Sequence, residues 1–293
     1  EIITGGGVHA GDFAFNPAGD AMAWLHLPDM QGPAAERLPI QIERFHPRES
    51  RSIKVPGRPL GFLAWSPDGR WLAYLARRSG QRLSNARLWI VDPARWPEDP
   101  SAARCLTDDL EAWITGFDWS HDGQALVVAV AQGTYGRLLE VPLDGPIQEI
   151  GNRRTYLSGP HVDRHSGRMV HLAQDCELPQ RLVMREGLHA PPEPLTDFHA
   201  PLEEGRLLPG ETIEWTSTDG LRLDGVVVRP EGPGPYPLAV WVHGGPAEVM
   251  SRTFSTYFQV LASAGFAVFA PNYRGSNGRG ERFLRASVDD LGG

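Results

Sequence analysis

Short apolar runs alternate with polar turns through the first 200 residues. Four segments share one pattern, an apolar run, a polar turn holding Gly, and a second apolar run. They are DFAFNPAGDAMAWL (12–25), FLAWSPDGRWLAYL (62–75), FDWSHDGQALVVAV (117–130) and HVDRHSGRMVHLA (161–173). Their turn glycines, Gly19, Gly69, Gly123 and Gly167, are spaced by 50, 54 and 44 residues. Asp68-Gly69 between alternating apolar runs is a hairpin signal, because Gly tolerates positive φ. In the strand that follows, Leu72 and Tyr74 point to one face and Ala73 and Leu75 to the other. Further strand-like pieces follow the hairpins, 88–91 and 138–141 among them. Several strands in each ~50 residues predict propeller blades of about four strands each, with an irregular β-sandwich as the alternative. Residues 1–205 hold about four repeats, and propellers close with about 4–8 blades. The expectation is therefore a partial β-propeller of about four blades.

The pattern changes near 205–211, a Gly/Pro/Glu-rich stretch taken as the linker. Residues 211–216 and 221–229 read as the two strands of a hairpin closed by an Asp219-Gly220 turn, and 230–237 as a Pro-rich loop. Residues 238–242 are a continuous apolar run, the pattern of a buried central strand. A helix follows, with Ser251 or Thr253 as its expected cap. Phe254, Tyr257, Phe258, Leu261 and Ala262 have the spacing of one apolar helix face, and Gly265 stands where a C-terminal cap belongs. Residues 266–270 predict another buried strand, 271–280 a Gly-rich loop, and Glu281 the opening of a second helix. Strand, helix, strand, helix with apolar strands predicts a parallel sheet covered by helices. The chain is accordingly divided into propeller blades (1–205) and the start of an α/β module (206–293), which the motif and the resemblance described below imply to be the N-terminal portion of an α/β-hydrolase domain.

Composition narrows the function classes. At roughly 150 residues per domain, 293 residues suit about two domains. Lys and Arg total 28 against 36 Asp and Glu, a net charge of −8, the wrong sign for nucleic acid or an anionic membrane surface as partner. No run approaches the ~18 apolar residues of a membrane-spanning helix, and the N-terminus lacks a basic-then-apolar signal pattern. The 33 Gly and 26 Pro are about a fifth of the chain, and with nine Trp they favour short strands and many turns. Lys54 is the single lysine. Cys105 and Cys176 make neither a disulfide framework nor a zinc site. Both are read as buried free thiols, which suits a reducing, cytoplasmic compartment. A chain opening on Glu1 and closing on Gly293 in mid-pattern is expected to be a fragment, with blades missing on its N-terminal side.

The chemistry lies in His243-Gly244-Gly245-Pro246, directly after the strand 238–242 and before the helix. Counted from 211, that strand is the third. In α/β-hydrolases the loop between the third strand and the first helix supplies one N–H of the oxyanion hole, often from an HGG-type motif. Glycine suits the role because a backbone without Cβ approaches substrate closely. One such donor stabilises the transition state by about 3 kcal/mol. A tight turn with a packed His is the structural alternative.

VHGGPAEVMSRTFSTYFQVLASAGFAVFAPNYRGSNGRGERF (242–283) resembles the hydrolase domain of the prolyl oligopeptidase family of serine peptidases. The His-Gly-Gly-Pro form with Asn272-Tyr273-Arg274-Gly275-Ser276 is most similar to the acylaminoacyl-peptidase and dipeptidyl-peptidase-like branch. The SPDG-type repeats match that family's propeller, and WTSTDGLRLDGVVVRP (215–230) the start of its hydrolase domain. The resemblance implies that Gly244 and Gly245 offer the backbone oxyanion donor. It implies that His243, where other branches carry a Tyr, shapes the loop on the substrate side. Arg274 either faces the substrate or holds the Gly-rich loop through a salt bridge. Asp290 with Gly292-Gly293 resembles an Asp-x-Gly-Gly before the next helix and receives no catalytic role. Glu177 and Glu203-Glu204 could by the same analogy anchor a substrate amino terminus, against a plain surface reading.

The chain departs from the family in one respect. The nucleophile belongs in a G-x-S-x-G elbow, with the order Ser, Asp, His. No such elbow occurs in residues 1–293, and no His follows His243. The expected activity is serine-type hydrolysis of oligopeptides or acylaminoacyl peptides by a Ser-Asp-His triad beyond this chain, the chain alone being inactive. The alternatives are a non-catalytic propeller binding module with a degenerate hydrolase remnant, and an esterase for small esters. Short peptides are the expected partners, a homo-oligomer is left open, and no cofactor is implied. His161, Asp163 and His165 lie in a strand–turn–strand repeat whose spacing suits no common metal motif, so no metal is expected.

Overall fold

The computed structural model describes residues 9–27, 39–78, 83–151, 155–196, 207–245 and 247–288. Four four-stranded sheets follow one another along the chain. The first holds β1 (His9–Phe15), β2 (Ala21–Leu27), β3 (Ile40–Arg44) and β4 (Glu49–Ile53). The second holds β5 (Arg58–Trp65), β6 (Leu72–Arg77), β7 (Arg87–Val91) and β8 (Ala103–Cys105), with a 3-10 turn at Pro100–Ala102. The third holds β9 (Trp113–Trp119), β10 (Ala125–Gln132), β11 (Tyr135–Pro142) and β12 (Gln148–Ile150). The fourth holds β13 (Tyr156–Val162), β14 (Met169–Asp175), β15 (Leu178–Arg185) and β16 (Glu193–Pro194). Within each sheet the strands neighbour one another in sequence order.

The four repeat glycines all occupy the turn between a sheet's first and second strands. Their φ values are +70, +72, +67 and +73° for Gly19, Gly69, Gly123 and Gly167, a region that side chains avoid. The Gly69 amide donates to the Ser66 carbonyl at 2.9 Å and that of Gly123 to Ser120 at 3.0 Å. Ser120 then organises its turn. Its hydroxyl lies 2.6 Å from Asp122 Oδ1 and receives the Ala125 amide at 2.9 Å. The fourth turn is one residue longer: the Gly167 amide bonds back to Asp163, four residues earlier, at 2.9 Å.

Among the described residues the chain forms two compact units. One comprises 1–110, 118–126 and 141–146, the other 111–117, 127–140 and 147–293. The core of the first is built from alternate positions of its strands, among them Leu25, Ile40, Ile53, Leu72 and Tyr74. In β6 residues on both faces are buried, so the strand reads as an apolar run rather than an alternation. The second unit has one core between the third and fourth sheets, including Val127, Leu138, Met169 and Val183. Its other core lies in the module that follows.

That module is a mixed sheet: its strand–helix–strand unit is parallel, as expected, but it joins the opening hairpin in antiparallel fashion, so the sheet as a whole is not parallel. Its strands are β17 (Gly210–Thr216), β18 (Arg222–Val228), β19 (Leu238–Val240) and β20 (Ala267–Asn272), in the order β17-β18-β20-β19. Only β19 and β20 pair in parallel; β17–β18 and β18–β20 are antiparallel. The tight turn at Asp219-Gly220 forces the first pair antiparallel, because parallel strands need a long crossover. The run 238–242 is a correction as well. Its strand lies at the sheet edge, with Leu238 60%, Val240 55% and Val242 64% exposed. Of its apolar side chains, Trp241 packs against the rings of Tyr257 and Phe258, while Leu238, Val240 and Val242 stay exposed.

Helix α1 (Thr256–Ser263) begins later than expected. Ser255, not Ser251 or Thr253, is its N-cap, and its side chain accepts the Phe258 amide. Phe254 therefore lies outside the helix, and Tyr257 is exposed. Phe258 and Ala262 pack onto Val226, Val228, Val268 and Ala270 of the sheet. The C-terminus matches expectation: Gly265 has φ +95°, its amide bonds Ala262, and the Phe266 amide bonds Leu261. This is a Schellman closure. Gln259 is buried on the inner side of α1. Its amide nitrogen donates to the carbonyls of Cys176 (3.0 Å) and Leu208 (2.9 Å), and its oxygen accepts the Leu208 amide (2.8 Å). A short helix α2 (Gly280–Leu284) starts one residue ahead of the expected position and runs into a 3-10 turn at Arg285–Ser287.

The two cysteines are free, as expected, but Cys105 is only half-buried. Cys176 is 2% exposed, and burial, reinforced by the Asp175 carboxylate, pushes its thiol up to about 12. Glu177 is exposed in the β14–β15 turn. Pro246, Glu203, Glu204, Asp290, Gly292 and Gly293 lie outside the described residues. No helix among the described residues is long and apolar enough to cross a membrane.

Candidate functional site

The loop 241–245 leaves β19 and continues its pairing for one residue, the Trp241 amide bonding the Phe269 carbonyl at 2.8 Å. The chain then turns under His243, which is buried, while Gly244 and Gly245 are exposed. His243 is held from both sides. Its ring stacks on Tyr273 at 4.3 Å between centroids and 16° between planes. The Tyr273 hydroxyl donates to the His243 carbonyl at 2.6 Å. Burial and the Glu248 carboxylate raise this phenol above its ordinary range, so it stays protonated and can donate. On the other side His243 Nε2 lies 2.9 Å from Ser276 Oγ.

Nδ1 of His243 lies 2.9 Å from the Gly244 carbonyl, which only accepts, so Nδ1 carries the proton. Nε2 faces the Ser276 hydroxyl, which itself donates to the Tyr273 carbonyl at 2.7 Å. Both ring nitrogens are thus engaged in shaping the loop. The geometry fixes one further direction. The Gly244–Gly245 peptide is trans, and in a trans peptide the carbonyl and the following N–H point oppositely. With the Gly244 carbonyl turned to His243, the Gly245 N–H points away from it. Gly245 has φ +119°, and a Cβ there would stand 2.5 Å from the Ala247 nitrogen. No side chain fits without moving the loop.

The next stretch is fixed to the end of β20. Buried Asn272 accepts the Met250 amide at 2.6 Å and donates to the Met250 carbonyl at 2.9 Å and to Asp224 Oδ1 at 2.8 Å. Asp224 completes the link with Arg279 at 2.7 Å. Asn277 donates to the Ala247 carbonyl through its side chain and to Glu248 through its amide. Arg252 reaches Asp175 at 3.1 Å, tying the loop to the β14–β15 corner. The Gly278 carbonyl accepts the Gly133 amide at 2.8 Å.

Arg274 pairs with Asp219 of the β17–β18 turn. Its guanidinium, with the Leu221 amide second, draws the Asp219 carboxyl down to about 2. The structure therefore brings His243 together with Tyr273 and Ser276, and gives Arg274 a carboxylate partner. Tyr273, Ser276 and Asn272 are residues that sequence reasoning quoted for the resemblance but gave no role. Their signal was a polar run directly after an apolar strand, where buried polar groups need partners. Of the histidines in the fourth repeat, His161 and His165 are exposed.

Residues 252–293 match the model of the prolyl oligopeptidase family. The chain is 27% identical over 230 residues to the Bacillus subtilis protein named uncharacterized peptidase YuxL, covering 72% of this chain and 34% of that one. Dipeptidyl-peptidase 5 of Trichophyton schoenleinii is 26% identical over 249 residues, which cover 78% of this chain and 32% of that one. The chain thus spans about a third of the length of these curated relatives. Among solved structures, Pyrococcus horikoshii acylaminoacyl peptidase shares the fold with a TM-score of 0.75 at 20% identity, over 94% of this chain and 42% of that one.

Proposed function

Residues 252–293 match the prolyl oligopeptidase family, and from that match we propose that the chain belongs to this family and supplies the scaffold and the oxyanion loop of a serine peptidase for short peptides. In this reading the four sheets are propeller blades, spanning 1–205, that restrict entry to small substrates. Residues 206–293 are the N-terminal part of the hydrolase domain. The Ser, Asp and His of the triad are supplied outside these residues. With two free thiols, the protein suits a reducing, cytoplasmic setting.

The observation that carries the proposal is the orientation of Gly245. Its N–H is turned away from His243 by the bond that His243 makes to the Gly244 carbonyl. When the catalytic Ser attacks a peptide carbonyl, negative charge develops on the carbonyl oxygen. A fixed N–H aimed at that oxygen stabilises the transition state without reorganisation. His243 acts through the loop, and Arg274, steadied by Asp219, stands on the substrate side of the same Gly-rich segment.

The test uses the protein in full and this chain alone. The full protein is expected to hydrolyse aminoacyl or acylaminoacyl anilides and to take up one fluorophosphonate label. The isolated chain is expected to do neither. Stoichiometric labelling of a serine within residues 1–293 would overturn the assignment.

A further inference from the structure

A cavity of about 120 Å3 opens against one face of the fourth sheet, and its polar lining is entirely cationic or neutral. Its walls include His171, Arg181, Arg185, Leu157, Val183 and Pro194. The register explains why these meet. His171 lies opposite Val183, Ala173 opposite Arg181 and Met169 opposite Arg185. Side chains alternate along a strand, so Arg181, Val183 and Arg185 stand on one face of β15 with His171 between the two arginines.

Arg185 is 4% exposed. Its Nε donates to His171 Nε2 at 3.2 Å and its Nη1 to the Ala190 carbonyl at 2.6 Å. Both acceptors are uncharged, since a ring nitrogen that accepts carries no proton. Gly151 makes room for the third nitrogen: a Cβ there would stand 2.9 Å from Arg185 Nη2. Arg181 Nε is buried with no hydrogen-bond partner. Among the described residues neither guanidinium has a carboxylate partner. A buried charge without a counter-charge is costly, and a buried donor without an acceptor calls for an explanation.

We propose that this cavity is a binding site for a small oxyanion, a carboxylate or a phosphate, gripped by Arg181 and Arg185. Planar guanidinium forks match both anions. Leu157, Val183 and Pro194 give the site an apolar wall, which favours an anion carrying a compact apolar body.

The test is calorimetric titration of the chain near pH 7 with benzoate, inorganic phosphate and benzamide, the last a neutral shape match for benzoate. Saturable one-site binding of benzoate or phosphate is expected, with none for benzamide. Preference for benzoate marks a carboxylate ligand, and preference for phosphate an inorganic or esterified one. Arg181→Gln should weaken binding at least about tenfold and Arg181→Lys should restore part of it, consistent with a charge-assisted contact. NMR of the wild type gives a check that needs no variant, because the Arg181 and Arg185 Nε–H resonances should move with the bound probe. Absence of binding by both anions to folded protein, unmoved arginine resonances, or full affinity in a folded Arg181→Gln variant each overturns the proposal.

Discussion

The indole N–H of Trp119 donates to the main-chain carbonyl of Ala64 at 3.1 Å. One repeat earlier Trp65 makes the same bond to Ala14 at 3.2 Å. Each Trp ends the first strand of its sheet, and each acceptor sits one residue before the matching position of the preceding sheet. The turns beyond nest in the same way. A Cβ on Gly69 would lie 3.5 Å from Pro17 Cδ, and one on Gly123 3.3 Å from Pro67 Cδ. Trp119→Phe keeps most of the apolar area and leaves the Ala64 carbonyl without its donor. It should cost about 1–2 kcal/mol, read as a lower urea midpoint. An unchanged midpoint would show the bond to be incidental.

The Arg274–Asp219 pair predicts a pH dependence. The Asp219 carboxyl is lowered from 3.8 to about 2 in the folded chain, so the folded state binds its proton less readily than the unfolded one. The stabilisation is fully present above the ordinary carboxylate range and is lost as pH falls toward 2. The difference in melting temperature between wild type and Asp219→Asn should therefore shrink across that window and disappear below it. Asp219 is exposed and Arg274 half-buried, so the difference is small and salt-sensitive. A difference independent of pH would sever the link to this pair.

Thiol reactivity should separate the two cysteines. Cys176, buried and pushed up to about 12, presents almost no thiolate near pH 8, whereas Cys105 is half-buried. A disulfide reagent should modify Cys105 at least about tenfold faster, and Cys176 only as the fold opens. Equal rates in the native chain would contradict the burial of Cys176.

On the proposed function, Gly245→Val in the full-length protein should lower kcat by about 10²–10³ with a smaller effect on KM, since the lost contact strengthens in the transition state. Steady-state kinetics with folding checked by circular dichroism measures it. His243→Ala should cost less if the ring only shapes the loop. A folded Gly245→Val enzyme with wild-type kcat would remove Gly245 from the oxyanion hole.

The places where sequence and structure part follow from what a local pattern can encode. Gly19, Gly69, Gly123 and Gly167 were legible because a turn's demand for positive φ is local, and so was the Gly265 cap. The place of the loop 241–245, after the third strand and before the helix, was legible from the apolar pattern around it. The cap at Ser255 was not, because Ser251, Thr253 and Ser255 are equally good candidates until the entering chain is fixed by Asn272. The run 238–242 carries the letters of a buried strand, yet burial depends on which strands flank it. Here β20 covers one side only. That open edge predicts self-association of the isolated chain, since unpaired edges recruit other strands. Val240→Lys should reduce it in light scattering without lowering the melting temperature. Equal association in the variant would place the contact elsewhere.

Gln259 has an amide that can satisfy its surroundings in one orientation only. Its oxygen must face the Leu208 N–H and its nitrogen the two carbonyls. Helix α1, the segment at Leu208 and the corner at Cys176 are therefore interlocked, and none can open while the others stay closed. The Leu208 amide proton should exchange with solvent only through an opening that releases all three. The Ser255 cap fixes where the chain arriving from the loop 241–245 enters α1, so the helix end nearest that loop belongs to the same interlocked unit.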